Sequence, residues 1–96
     1  MNMQLAWVNR SGGLESYAGD RAVYGDLDVS PDGKLIAITQ QTAESAGADI
    51  WVVDWQRANV ATRLTRDPAD DMNPVWSPEG KRIAFITYRR ATPIFT

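Results

Sequence analysis

A nine-residue phrase occurs twice in this chain of 96 residues, as SPDGKLIAI at residues 30–38 and as SPEGKRIAF at residues 77–85. A shift of 47 residues superposes the two copies, and six of the nine positions are identical. A repeat with a period of about 40 to 50 residues is typical of proteins that stack copies of one supersecondary unit. The sequence therefore predicts two copies of a single structural repeat.

Each phrase predicts the tip of a β-hairpin. Pro31 presets the φ angle of the first central position of a type I turn, and Asp32 takes the second. Gly33 can then adopt a positive φ, as a three-residue hairpin loop with a bulge requires, and the Ser30 hydroxyl can bond turn amides. The second copy supplies the equivalent structural residues Ser77, Pro78, Glu79 and Gly80.

The stretches around both turns have the patterns of β-strands. Residues 24–29 (YGDLDV) alternate apolar and polar side chains before the first turn, and residues 49–55 (DIWVVDW) read as a strand that is apolar on both faces. A fourth strand is predicted at 60–65, so one period contains four strands. Near the start, residues 5–9 (LAWVN) and 14–19 (LESYAG) are predicted to be a third and a fourth strand of a preceding unit.

Four short strands per repeat of this length are typical of a β-propeller blade. We therefore predict an all-β fold of antiparallel four-stranded propeller blades, with about two blade equivalents in the chain. Residues 1–22 would end a preceding blade, 23–68 would form a complete blade and 69–96 would begin a following one. Residues 92–96 (TPIFT) could start a further strand.

The second copy, NPVWSPEGKRIAF at 73–85, resembles the WD40-like (PD40) repeat of TolB-like β-propellers. The matching residues are Pro74, Trp76, Ser77, Pro78, Gly80, Lys81, Ile83, Ala84 and Phe85. The first copy departs from the pattern, with Leu27 and Val29 where Pro and Trp are expected. The chain as a whole is most similar to the propeller repeats fused to some bacterial Ser/Thr kinases. The resemblance implies a six-bladed fold and a periplasmic or cell-envelope location.

Composition excludes several kinds of chemistry. The chain has no histidine and no cysteine, so Ser-His-Asp and Cys-His catalysis and the usual zinc ligands are absent. We predict no catalytic, cofactor-binding or metal-binding residue. Asp67, Asp70 and Asp71 are interpreted as solvated carboxylates of a turn, and Arg89 with Arg90 as a charged strand edge. A net charge of −2 and the lack of a long apolar run argue against nucleic-acid binding and membrane insertion.

The sequence therefore predicts a non-catalytic propeller segment that serves as a scaffold for binding a protein or peptide. Two alternatives stay open. The chain could be an accessory or sensor propeller fragment of a bacterial Ser/Thr kinase or of a prolyl-oligopeptidase-type peptidase, or a truncated product without independent function. The complementary phase of its two ends also predicts head-to-tail homo-oligomers, with a trimer favoured because three copies would give six blades.

Overall fold

A computed structural model of the protein describes residues 2–42 and 47–89, and these residues form seven β-strands and no helix. The first five strands form one antiparallel sheet, sheet 1, in the order β1-β2-β3-β4-β5, and the last two form sheet 2. This confirms the predicted all-β, antiparallel class. The predicted strand at 92–96 lies outside the described residues. The strands are β1 (Met3–Val8), β2 (Leu14–Val29), β3 (Ile36–Gln41), β4 (Asp49–Asp54), β5 (Val60–Arg63), β6 (Asp71–Trp76) and β7 (Ile83–Thr87).

Strand β2 is longer than the sequence predicted. We expected one strand at 14–19 and another at 24–29, but the structure has a single strand of 16 residues. Its first part pairs with β1 as far as Ala22, and its second part pairs with β3 from Val23 onward. The intervening residues 20–23 (DRAV) contain no Gly or Pro to end a strand. The predicted boundary between 22 and 23 therefore falls inside a continuous strand.

The head hairpin, which comprises β1 and residues 14–22 of β2, packs onto one face of the rest of sheet 1. Leu5 joins Ile36 and Val53 in the main apolar cluster, and the Trp7 and Trp55 rings lie 4.7 Å apart between centroids. Since β1 pairs only with β2 among the described strands, these contacts with β3 and β4 are face to face. We call this side of sheet 1 the covered face. Gly19, with a φ of +68°, allows β2 to bend between its two parts.

Sheet 2 packs against the opposite face of sheet 1 through β6. The Trp76 backbone N–H donates to Oδ2 of Asp28 at 2.8 Å, and its indole N–H donates to the Asp28 carbonyl at 3.0 Å. The Asn73 N–H donates to the Thr39 hydroxyl at 2.9 Å. Asp28 and Thr39 are each next in sequence to a residue on the covered face. Because side chains alternate along a strand, both point to the opposite face of sheet 1. The head hairpin thus covers one face of sheet 1, and β6 covers the β2–β3 part of the other.

The two sheets share a two-stranded unit, which is the second part of β2 with β3 in sheet 1 and β6 with β7 in sheet 2. In each, the first strand carries one extra residue at a β-bulge, between Tyr24 and Leu27 in β2 and between Met72 and Val75 in β6. A shift of 47 residues also converts the cross-strand pairs of one sheet into those of the other. The matching pairs are Tyr24–Gln40 with Asp71–Thr87, Asp28–Ala37 with Val75–Ala84, and Val29–Ile36 with Trp76–Ile83. The repeat seen in the sequence is therefore a repeat of backbone pairing.

The hairpin tips have the predicted glycine conformation and a longer loop than predicted. Gly33 and Gly80 have φ angles of +76° and +75°. The Gly33 N–H donates to the Ser30 carbonyl at 2.8 Å, as in a type I turn. The Leu35 N–H donates instead to the Ser30 hydroxyl, at 3.0 Å. The backbone pair closes only between Ser30 N and Leu35 O, which leaves residues 31–34 in the loop, four rather than three.

We expect Gly33→Val to lower the free energy of unfolding by about 1 kcal/mol or more, because a β-branched residue disfavours a positive φ. No heavy atom lies within 4 Å of the position a Cβ would take at Gly33, so the effect would be conformational and not steric. Urea denaturation measures it. Gly33→Asn is the matched control, since asparagine tolerates the left-handed region. Equal midpoints for the valine variant and the wild type would contradict the turn assignment.

Candidate binding groove

A groove of about 660 Å³ lies between the opposite face of sheet 1 and sheet 2. Most of its lining is apolar, and it is open to solvent along one side. The β4–β5 region of sheet 1 forms one wall, and sheet 2 forms the other. The lining residues are Leu35, Ile50, Val52, Asp54, Arg57, Val60, Thr62, Leu64, Thr65, Trp76, Lys81, Ile83 and Phe85.

The apolar walls follow from the strand sequences. Strand β4 was predicted to be apolar on both faces, and the structure confirms that no residue of β4 is exposed. Val53 faces the head hairpin, while Ile50 and Val52 point into the groove. From sheet 2, Ile83 and Phe85 alternate on the groove side of β7. The groove is therefore a gap between two sheet faces that would bury apolar side chains if a further strand covered them.

The groove runs beside an unpaired strand edge. Among the described residues, β7 pairs only with β6, whereas the equivalent strand β3 pairs on both sides. In sheet 1, β4 and β5 continue the sheet beyond β3. In sheet 2, no described strand continues it beyond β7, so its backbone N–H and C=O groups are available on that side. The edge of β7 that can form backbone hydrogen bonds is thus adjacent to the apolar groove.

Most of the residues singled out from the sequence lie at the hairpin tips, at one end of both sheets. The two loops lie close together, since a Cβ at Gly80 would lie 3.5 Å from Cδ of Pro31. Of the ten predicted structural residues, Trp76 alone lines the groove, and Pro74 is buried in β6. The remaining eight are Ser30, Pro31, Asp32, Gly33, Ser77, Pro78, Glu79 and Gly80.

Hydrogen bonds within the loops occupy their polar side chains. The Ser30 hydroxyl donates to Oδ1 of Asp32 at 2.6 Å, and the Lys34 N–H donates to the same oxygen at 3.0 Å. These bonds lower the pKa of the Asp32 carboxyl, and the bond from Ser30 has the largest effect. In the second loop, the Ser77 hydroxyl accepts from the Arg82 N–H at 3.0 Å. The serines and Asp32 therefore serve the turn conformation.

Two aspartates, Asp71 and Asp49, are buried in a way that the sequence did not predict. Asp71 is fully buried at the start of β6, where it accepts bonds from Thr87 Oγ1 at 2.7 Å and from Arg89 at 2.8 Å. The interpretation of Asp71 as a solvated carboxylate was wrong, whereas Arg89, predicted to be a charged edge residue, is exposed and forms an ion pair with Asp71. The hairpin register could have revealed the pair, since Asp71 lies opposite Thr87. Arg90 lies outside the described residues.

Asp49 has a similar environment at the start of β4. It is buried, pairs with the Arg63 guanidinium and accepts from the Thr65 hydroxyl at 3.2 Å. In both clusters, an arginine and a threonine from the next strand or just beyond it satisfy the carboxylate, which leaves no free base. The described residues contain no group of three acidic, histidine or cysteine side chains placed to hold a metal ion. No helix among them could span a membrane.

We expect the protein to lose stability in acid through Asp71. Burial raises the pKa of this carboxyl, but the bonds from Arg89, Thr87 and Thr65 outweigh burial, so its pKa in the folded state is lowered. A lowered pKa stabilises the fold above the unfolded value of about 3.9, and this contribution disappears as the pH falls through the folded value. Urea denaturation between pH 7 and pH 2.5 measures the loss.

Asp71→Asn should reduce this pH dependence, because the variant has no carboxyl at the site. Asp26→Asn is the control, since Asp26 is exposed. If the Asp71 and Asp26 variants had the same pH profile as the wild type, the ion pair with Arg89 would not contribute to acid stability.

No protein-family model matches this chain, and no curated protein or solved structure matches it. The strand topology of the described residues defines an all-β protein of two packed antiparallel sheets. The resemblance to TolB-like repeats rests on sequence motifs alone.

Proposed function

We propose that this chain is a β-propeller repeat segment that acts as a non-catalytic scaffold for binding proteins or peptides. The observation that carries the proposal is the apolar groove beside the unpaired edge of β7. In this proposal, the second part of β2 with β3, β4 and β5 is one blade, and β6 with β7 begins the next. The shared pairing register of the two sheets and their face-to-face packing support that assignment.

An extended segment fits both features of the site. Its backbone would pair with the free N–H and C=O groups of β7 and thereby continue sheet 2. Because strand side chains alternate, every second residue would point into the groove, between Val52 on one side and Phe85 on the other. Main-chain bonds would supply affinity, and the apolar residues would select the register.

The polar groups favour binding over catalysis. The chain has no histidine or cysteine. Among the described residues, the buried carboxylates are Asp49 and Asp71, and each is paired with an arginine. A general base needs a free site within reach of a substrate proton, and these carboxylates already accept bonds within the protein.

The proposal predicts that fluorescently labelled ten-residue peptides with alternating apolar residues bind the chain at protein concentrations low enough to keep it monomeric. Fluorescence anisotropy measures the binding, and hydrogen exchange should show protection of the β7 amides in the complex. Leu64→Lys places a charge at the groove rim, where Leu64 is half exposed, and should weaken binding at least about tenfold.

Val23→Lys is the matched control, because Val23 is partly exposed and does not line the groove. Equal binding to both variants, or complexes that leave the β7 amides unprotected, would show that the groove is not the binding site.

A further inference from the structure

We propose that the occupant of the groove is the head hairpin of a second copy of this chain, which completes sheet 2 by pairing its β1 with β7. This inference rests on the proposed function of the groove and names its partner. It follows from the surfaces that the described residues leave uncovered, and from the way the same chain covers their equivalents in sheet 1.

Sheet 1 shows what a completed sheet needs. On its covered face, Val29 and Ile36 are accompanied by Val53 of β4, and all three pack in or against the cluster that includes Leu5 of the head hairpin. Sheet 2 has the equivalents of the first two, Trp76 and Ile83, since the shift of 47 residues superposes the pairs. Among the described residues, no strand beyond β7 supplies an equivalent of β4. An equivalent of β4 in sheet 2, with the strand beyond it, would lie along the groove.

The head hairpin is an antiparallel strand pair, and one of its apolar faces is not covered by the rest of the described chain. Leu5 and Trp7 point toward sheet 1, so the pairs Ala6–Tyr17 and Val8–Leu14 point outward. The outward Val8, Leu14 and Tyr17 are 59%, 56% and 61% exposed. The free edge of β1 lies next to this outward face, just as the free edge of β7 lies next to the groove. Joining the two edges would place the outward face over the groove.

The same arrangement covers a second pair of surfaces. Val75 and Ile86 lie on the side of sheet 2 that faces away from the groove, and both are at least half exposed. Leu27 lies on the covered face of sheet 1, beside a cleft of about 80 Å³ under the head hairpin, and is half exposed. If a second copy's head hairpin extended sheet 2, that copy's Leu27 would come against Val75 and Ile86. Within one chain, β6 packs against sheet 1 with Pro74 at the position equivalent to Leu27.

These surfaces account for most of the exposed large apolar side chains in the described part of the chain. Monomeric proteins rarely expose contiguous apolar patches of this kind without a partner. Eight of the eleven fall on them, namely Val8, Leu14, Tyr17, Leu27, Val60, Leu64, Val75 and Ile86, and the other three are Met3, Val23 and Tyr88.

The contact joins the tail of one copy to the head of the next, so it is heterologous and must close into a ring or continue as a fibre. Each copy contributes two blade equivalents in the proposed assignment. A trimer would then contain six blades, which is within the range of closed propellers.

Light scattering coupled to size-exclusion chromatography tests the assembly on the purified 96-residue chain. We expect a mass about three times the 10.7 kDa of one chain. Val8→Lys should dissociate the assembly and leave a folded monomer by circular dichroism, because Val8 is exposed in the single chain. Val23→Lys, the same change at an apolar residue of β2 outside both surfaces, should keep the oligomer.

A mixing experiment tests the polarity of the contact. Val8→Lys disrupts the outward face of the head hairpin and leaves the groove intact. Leu64→Lys disrupts the groove and leaves the head hairpin intact. Each variant alone should be a monomer, and an equimolar mixture should form a 1:1 heterodimer that cannot extend. Mixtures that stay monomeric, or single variants that still form the wild-type oligomer, would overturn the head-to-tail contact.

The outcomes also separate this inference from the proposed function. A wild-type chain that is a folded monomer at micromolar concentration, and whose groove binds extended peptides, would overturn the second copy as partner and keep the groove as a binding site. A monomer that binds no peptide would overturn both.

Discussion

The structure depends on one constraint, which is that its main sheet is apolar on both faces. Strand β4 has no exposed residue, and Ile36, Ile38 and Ala37 of β3 are buried although they point to different sides. A sheet of this kind is stable only as the middle layer of a stack, because either face left in water would lose the burial of several aliphatic side chains. The head hairpin and β6 supply the two outer layers.

Buried ion pairs fix the strands at the end of the sheets away from the hairpin tips. Asp49 and Asp71 each begin a strand, and each is held by an arginine and a threonine. A carboxylate buried without these partners would cost several kcal/mol, so the pairs restrict the register that the strands can adopt. Further bonds join the two regions, since the Ala48 carbonyl accepts from the Asp71 N–H at 2.8 Å. The backbone bond that connects the sheets therefore lies directly beside the two ion pairs.

The proposed binding role follows from the same constraint. Sheet 2 repeats the β2–β3 unit of sheet 1 and presents similar apolar faces, but the described residues give it no equivalent of β4. The apolar face of β4 that points toward the head hairpin is packed, whereas the face that points toward sheet 2 borders an open groove. A partner that extends the sheet would complete both the hydrogen bonding of β7 and the burial of Val52 and Phe85.

The sequence by itself determined the local features, namely the all-β class, both hairpin tips and the positive φ of Gly33 and Gly80. These depend on turn chemistry and on alternation within a few residues, which single stretches of sequence encode. Tertiary structure alone decided that β2 runs unbroken, that Asp71 is buried against Arg89 and that a groove opens beside β7. Each of these depends on which strands become neighbours. Residues 20–23 remain extended because partners pair on both sides of them, and Asp71 keeps its charge because pairing brings Arg89 within 2.8 Å.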